Sequence, residues 1–366
     1  MLVFCGIILG LILVYLLVVN FVPSFGGDLS ADQRTEFTKL ENFADGKFKN
    51  RLNVPEKVSL SKFFELSYAF FTTKVANAVP KKPLVPKAID PSTLRNPTKT
   101  QLYWFGHSTF LLQHNSLNIL LDPMFGDVPA PLNFLGQKRF TQNLPIEPED
   151  LPYIDYVVYS HDHYDHLDYE SVLKLKDKVA WFITPLGLGN HLMRWGVDQK
   201  KIIELNWWES KDFENIKFIS TPAQHFSGRK FSNNQQTLWS SWVIQSEHLS
   251  LYFSGDSGYD VHFKEIGESY GPFDIALVEC GQYNKLWSDV HLFPEETVQV
   301  GIDLNANFII PIHWGSFKLA MHAWNEPVKR LVEEARQKNV EIQIPQIGAP
   351  IEISKEGLAL DPWWIE

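Results

Sequence analysis

The sequence predicts an α/β fold in which two β-sheets lie together with helices outside them. Three observations carry this expectation. Short apolar, β-rich runs alternate with helical segments from about residue 100 to the C-terminus; strands outnumber helices; and no internal repeat of fixed period recurs. With 366 residues, 45% of them hydrophobic, the chain can bury a large core and is no disordered tail.

In chain order, the run Leu2 to Val22 comes first and carries no charge. As a helix rising about 1.5 Å per residue it could cross a hydrocarbon layer roughly 30 Å thick. It is read as an uncleaved single-pass membrane anchor, with a cleaved signal as the alternative. No Lys or Arg precedes it, and Val22-Pro23-Ser24-Phe25-Gly26 is a poor small-residue cleavage site. Arg34 and Lys39 follow it, a slight bias toward a cytoplasmic body that leaves the side of the membrane open. The expected division is therefore an anchor or signal over 1–23, a linker and N-terminal wrap over 24–99, and the body over 100–366. Within the wrap, Leu60, Phe63, Phe64, Phe70 and Phe71 mark an apolar helical face. That face either packs on the body or forms a lipid-facing or acyl-binding wall. Lys81 to Pro97 is proline-rich and should run extended.

In the body, strands are expected at Gln101–Phe105, Thr109–Gln113, Leu117–Leu121 and Ile154–Tyr159. Asp168 has the character of an N-cap for a helix through Leu175. Further strands are expected at Lys217–Thr221, Ser241–Gln245, Leu249–Ser254, Ile275–Glu279, Phe308–Ile312, Ile342–Ile344 and Ile351–Ile353. Helices fall over Pro294–Leu304 and Glu326–Lys338.

Composition narrows the function. Lys and Arg number 33 against 43 Asp and Glu, a net charge of −10, which argues against a nucleic-acid surface. Two cysteines, Cys5 and Cys280, exclude a disulfide scaffold or a Cys-rich zinc module. With 12 histidines present, any bound metal should be held by imidazoles and carboxylates.

The strongest chemical signal is His161-Asp162-His163-Tyr164-Asp165-His166, directly after an apolar strand and before a capped helix. Such a loop can aim His161 and His163 one way and Asp165 and His166 another, gripping two adjacent cations. Borderline metals such as zinc accept these ligands at about 2.0–2.2 Å. One loop cannot complete two sites. His225, Asp256 and His313 each follow an apolar run, so the loops carrying them should converge at one sheet edge.

These motifs resemble those of the metallo-β-lactamase-fold hydrolases: His161-x-His163-x-Asp165-His166, a lone His225, Asp256 in Ser-Gly-Asp-Ser-Gly, then His313, with Asp122 in Leu-Asp-Pro. Gly106-His107-Ser108-Thr109 and Ile312-His313-Trp314-Gly315 resemble the branch that includes N-acyl-phosphatidylethanolamine-hydrolysing phospholipase D and ascorbate-6-phosphate lactonase. The stretch from His291 to Glu296 is nearest the phospholipase. The resemblance spans about Gln101 to Ile353 and implies a four-layer αβ/βα sandwich holding two divalent ions, usually zinc. One ion would sit on His161, His163 and His225, the other on Asp165, His166 and His313, with Asp256 bridging. Asp165 and Asp256 would then serve the chemistry, with His291 as a substrate-binding or proton-donating group and Asp122 and His107 behind the ligands. Arg229 and Lys230 are surface cations or, for a sugar-phosphate substrate, phosphate contacts; Tyr164 and Tyr283 are candidates to line the site. The activity implied is hydrolysis of a membrane phospholipid, with a lactonase or other small-substrate hydrolase as the alternative. Expected partners are that substrate, the membrane through the N-terminal segment, and a second copy in a homodimer.

Overall fold

The computed structural model describes residues 2–52, 64, 65, 68, 69, 72–95, 97, 99–353 and 361–365. Period-two alternation shows why the body is layered. In strands β3 (Gln101–Trp104), β4 (Phe110–His114), β5 (Leu117–Leu121) and β6 (Ile154–Val158), successive side chains enter different cores. Trp104, Leu112, Ile119 and Val158 point to the central core; Tyr103, Leu111, Leu120 and Val157 point to an outer one. A sheet buried on both faces must be covered on both. Outside it lie the helices Tyr169–Leu175 and Gly189–Arg194, contributing Val172, Leu175 and Leu192 to the outer core.

This sheet has seven strands, in the order β15-β3-β4-β5-β6-β7-β8, with β7 at Val179–Pro185, β8 at Ile202–Leu205 and β15 at Pro350–Glu352. A six-stranded sheet faces it, in the order β14-β13-β12-β11-β10-β9. Its strands are β9 (Ser210–Phe213), β10 (Ile216–Thr221), β11 (Ser241–Ser246), β12 (Leu249–Phe253), β13 (Ile275–Glu279) and β14 (Ile309–Ile312). Phe218, Trp242, Ile244 and Phe253 meet the first sheet, and the helices His262–Tyr270, Pro294–Asp303 and Glu326–Lys338 cover the outside. The architecture is the layered sandwich expected. In each sheet one half is parallel: β5-β6-β7-β8 in one and β12-β13-β14 in the other. Parallel strands end at a common edge, so the loops after β5, β6, β12, β13 and β14 gather there. Ile342–Ile344 forms no strand; Ile342 makes only an isolated bridge to Ile309.

The expectation of a single-pass anchor is overturned. Leu2–Phe21 is an α-helix, but among the described residues no helix is long and apolar enough to cross a membrane. Most side chains from Ile7 to Leu17 are exposed, and the run is tied to the body at its end. In its last turn Val19 is buried and the Arg194 guanidinium donates to the Asn20 carbonyl; just beyond, the Trp195 indole donates to Pro23 at 2.7 Å. Membrane anchoring through the N-terminal segment is therefore not supported.

The next residues lie against the body. A capping box at Ser30 starts the helix Ala31–Phe37, and a hairpin follows from β1 (Phe43–Ala44) and β2 (Lys47–Phe48). Phe37, Phe43 and Phe48 form an aromatic knot with Trp207, Leu238 and Trp239. Leu60, Phe63, Phe70 and Phe71 of the expected helical face lie outside the described residues, and Phe64 is exposed. Residues 84–89 run extended, with amides of Leu84, Lys87 and Ile89 donating to Phe140, Ile347 and Pro145.

Candidate metal centre

The site forms where apolar strands stop and polar loops begin. Asp122 follows β5, His161–His166 follow β6, His225 follows β10, Asp256 follows β12 and His313 follows β14. Asp122, His107 and His313 have φ of 38°, 55° and 63°, a left-handed backbone that non-glycine residues seldom adopt, and the burial around them holds it. Gly255 has a turn requirement of its own: at φ 58° a Cβ would come within 2.6 Å of the Ser160 Cβ, so glycine lets the Asp256 loop approach the His161 loop.

All seven residues singled out as ligands meet at this edge. His161, His163, His225 and Asp256 each present one ligand atom within 4.8 Å of the others, as do His107, Asp165, His166 and His313. In the first cluster, His163 Nδ1 lies 2.9 Å from His161 Nε2 and 3.2 Å from His225 Nε2. In the second, His313 Nε2 lies 3.1 Å from Asp165 Oδ2 and His166 Nε2 lies 3.5 Å from it. Asp256 stands between them, 3.2 Å from both His166 Nε2 and His313 Nε2, and 3.8 Å from His161 Nε2 and His225 Nε2.

The outward nitrogens are already engaged. His166 Nδ1 pairs with Asp122 Oδ2 at 2.7 Å, His313 Nδ1 with Glu279 Oε1 at 3.0 Å, and His225 Nδ1 with the Val290 carbonyl at 3.0 Å. A neutral imidazole has one N–H, so each of these rings keeps its Nε2 lone pair for the interior. Asp122 itself accepts the Ser160 amide at 2.7 Å. His107 Nε2 meets Asp165 Oδ2, the oxygen that also faces His313 and His166, at 2.8 Å. His291, 14% exposed, pairs through Nδ1 with Glu279 Oε1 and stacks on His313 at the rim.

Whether a cation suits this arrangement can be judged from atoms that lack partners. His166 Nε2 and Asp256 Oδ1 are buried, 3.2 Å apart, and neither makes a hydrogen bond. A lone pair facing a carboxylate oxygen in a dry interior is costly unless a proton on the imidazole or a metal ion between the two answers both. The donor set of imidazoles and carboxylates suits a borderline divalent metal. Electrostatics divides the cluster. Burial, with neighbouring imidazoles, pushes His161 and His225 well below the ordinary histidine range. Burial also opposes charge on His166 and His313, but Asp256 and Asp165 outweigh it and raise both, His313 to about 10. Against burial, His166 and its fellow imidazoles hold Asp256 well below the carboxylate range.

Other expectations change. Arg229 is neither a surface cation nor a phosphate contact: it is buried and donates to the carbonyls of Asp162, Leu167 and Ser24 at 2.6–2.9 Å. Lys230 is buried and paired with Asp28 at 2.7 Å. Tyr164 donates to the Arg229 carbonyl at 2.6 Å, and Tyr283 to Glu326 at 2.8 Å, so both hydroxyls serve loop structure. Glu279 escaped the sequence reading, although it ends the apolar run Ile275–Glu279 just as Asp256 and His313 follow theirs. Its Oε2 accepts the Ser257 amide at 2.6 Å, tying three loops together.

Residues 117–314 match the family model described as "Beta-lactamase superfamily domain". An uncharacterized protein of Mycobacterium tuberculosis is 37% identical over 93% of this chain and 92% of its own length. N-acyl-phosphatidylethanolamine-hydrolyzing phospholipase D 1 of Caenorhabditis elegans is 38% identical over 63% of this chain and 68% of its own. In fold alone, the chain resembles a possible metal-dependent hydrolase from Veillonella parvula, with TM-score 0.57 and 17% identity over 70% of this chain and all of that one. The chain belongs to the β-lactamase superfamily and is a hydrolase of the metallo-β-lactamase fold.

Proposed function

We propose that the protein is a dinuclear metal hydrolase whose substrate is a phosphodiester of the N-acyl-phosphatidylethanolamine type. The observation that carries the reading is Asp256, poised between a three-histidine cluster and an aspartate-and-two-histidine cluster at 3.2–3.8 Å from four of their nitrogens. On this reading His161, His163 and His225 would hold one ion and Asp165, His166 and His313 the other, with Asp256 available to both. Zinc fits the donors, and the division proposed is a hydrolase domain over 100–366 preceded by a linker and wrap over 24–99, of which Phe37, Phe43, Phe48 and residues 84–89 are seen against the body. Bound there, such ions supply Lewis-acid activation of water and of a phosphoryl group. The chain's own contribution is orientation and proton control. Asp122, Glu279 and the Val290 carbonyl hold the Nδ1 protons of His166, His313 and His225, fixing the tautomer that leaves Nε2 inward. His107 aims Asp165. His291, tied at Nδ1, keeps Nε2 for a leaving-group oxygen at the rim. Phe226, 38% exposed with its ring centroid 4.7 Å from that of His163, offers an apolar ledge beside the ions.

The similarity to the phospholipase of Caenorhabditis elegans supports the lipid assignment. The burial of Arg229 and the pairing of Lys230 remove the cations that a phosphorylated lactone would have recruited. The test is direct. The metal-loaded protein is incubated with N-acyl-phosphatidylethanolamine and, separately, with lactones, and products are read by mass spectrometry. Release of phosphatidic acid and an N-acylethanolamine is expected; brisk lactone hydrolysis without lipid turnover would sink the proposal.

A further inference from the structure

His225 is the cluster histidine that stands alone in the sequence, and its loop needs support from elsewhere. That support comes from residue 50, 175 positions earlier. The Asn50 carboxamide closes on the His225 peptide from both sides. Its Nδ2 donates to the His225 carbonyl at 2.7 Å, and its Oδ1 accepts the His225 amide at 3.1 Å. Among the described residues, no other hydrogen bond reaches either group. A third bond fixes the amide's orientation: the Trp239 indole donates to Oδ1 at 3.0 Å. Asn50 is held in turn by the hairpin before it. The Phe48 amide donates to Gln235 at 2.8 Å, the Lys49 amide donates to Asn42 at 2.9 Å, and Phe48 is fully buried in the aromatic knot that contains Trp239.

We infer that Asn50 is a positioning residue of the metal centre, through which the N-terminal wrap sets the place of His225; this rests on the reading of His225 as a ligand. The chemistry is specific to an amide. Asparagine offers a donor and an acceptor on one planar group, as the peptide of a neighbouring strand would. Aspartate keeps the acceptor but turns a second oxygen toward the His225 carbonyl. Alanine frees both peptide groups, and with them the backbone from which the imidazole reaches inward. The Val290 bond at Nδ1 fixes the ring's rotation, while Asn50 fixes where the ring starts.

The test compares N50D and N50A with N42A, which cuts the hairpin's contact to Asn206 at 2.8 Å without touching His225, and with H225A as reference. Zinc affinity is measured by chelator competition, and the environment of the ions by the absorption bands of the cobalt-substituted protein. N50D and N50A should weaken one zinc about tenfold or more, within the range for groups behind a ligand, and shift the cobalt bands. N42A should do neither. In the wild-type holoenzyme, backbone exchange over residues 222–227, read by mass spectrometry, should be slow, a measurement that stands even if a variant fails to fold. Wild-type zinc affinity and cobalt bands in N50D, or fast exchange in that segment, would overturn the role of Asn50. If H225A itself keeps both ions, the ligand reading falls and this inference falls with it; loss of zinc in H225A alone overturns only the inference.

Discussion

The two side-chain clusters that meet at Asp256 are backed differently. Behind His161 and His225 stand neutral groups: the Ser160 hydroxyl at 2.9 Å and the Val290 carbonyl at 3.0 Å. Behind His166 and His313 stand buried carboxylates, Asp122 at 2.7 Å and Glu279 at 3.0 Å, and His107 shares the Asp165 oxygen with His313. A carboxylate makes an imidazole a stronger base and adds negative charge near the cation. On the proposed reading the second cluster would hold a cation by charge, the first by the placement of neutral rings. Asp256 and Asp165 do most to raise His166 and His313, with the backing carboxylates adding to them, whereas burial and neighbouring imidazoles lower His161 and His225.

The largest effect should come from the residue that belongs to both halves. Asp256→Asn removes the charge facing four nitrogens, so both ions should be lost and turnover abolished. Metal analysis after gel filtration, together with turnover on the lipid, checks this. A variant that keeps two ions would mean that the clusters are independent and that Asp256 does not join them.

A smaller change separates the halves. Glu279→Gln keeps an acceptor for His313 but deletes the charge, and should weaken one ion by about 10–100-fold. Ser160→Ala removes a neutral partner of His161 and should cost less, although Ser160 also touches Asp122 and part of its effect will pass to the second cluster. Chelator competition on both variants ranks them. Equal losses would break the distinction between charged and neutral backing.

This difference also explains what the sequence made legible. The candidate ligands lie at the ends of apolar strands, in a dense local motif or after a clear run, so the convergence of His161 to His166, Asp256 and His313 could be read. Most strands could be read for the same reason: alternation between two cores leaves long β-rich runs such as Leu117–Leu121 and Ile275–Glu279. The strands Val179–Pro185, Ile202–Leu205 and Ser210–Phe213 were not anticipated. The last is an edge strand with three exposed residues out of four, which leaves little apolar pattern to see. The supporting groups were hidden for a different reason. Asn50 and Val290 act on His225 across 175 and 65 positions, one through a side chain with no motif and the other through a peptide carbonyl that any residue supplies. Arg229 misled because a charged side chain in a loop is most often a solvated surface group or, near such a motif, a contact for an anionic substrate. Here it is spent on main-chain carbonyls of the His161–His166 loop and of Ser24. The Leu2–Val22 run misled because composition cannot show that its last turn is docked on Arg194.

The smallest effect is expected in the metal-free protein, where the two clusters should bend stability with pH in opposite senses. His161 and His225 sit below the ordinary 6.5, so the unfolded chain binds protons that the folded one refuses. Their contribution is present above about pH 6.5 and is lost progressively as pH falls below it. His313 is raised to about 10, so its contribution is fully present below pH 6.5 and is lost as pH rises toward 10. Thermal melts of the chelator-treated protein across this range should therefore show a broad maximum. In His225→Gln the acid-side loss should shrink while the alkaline side stays unchanged; in His313→Gln the alkaline-side loss should shrink. If both variants flatten the same side, the clusters do not differ in their backing, because charge and burial would then act on all four imidazoles alike.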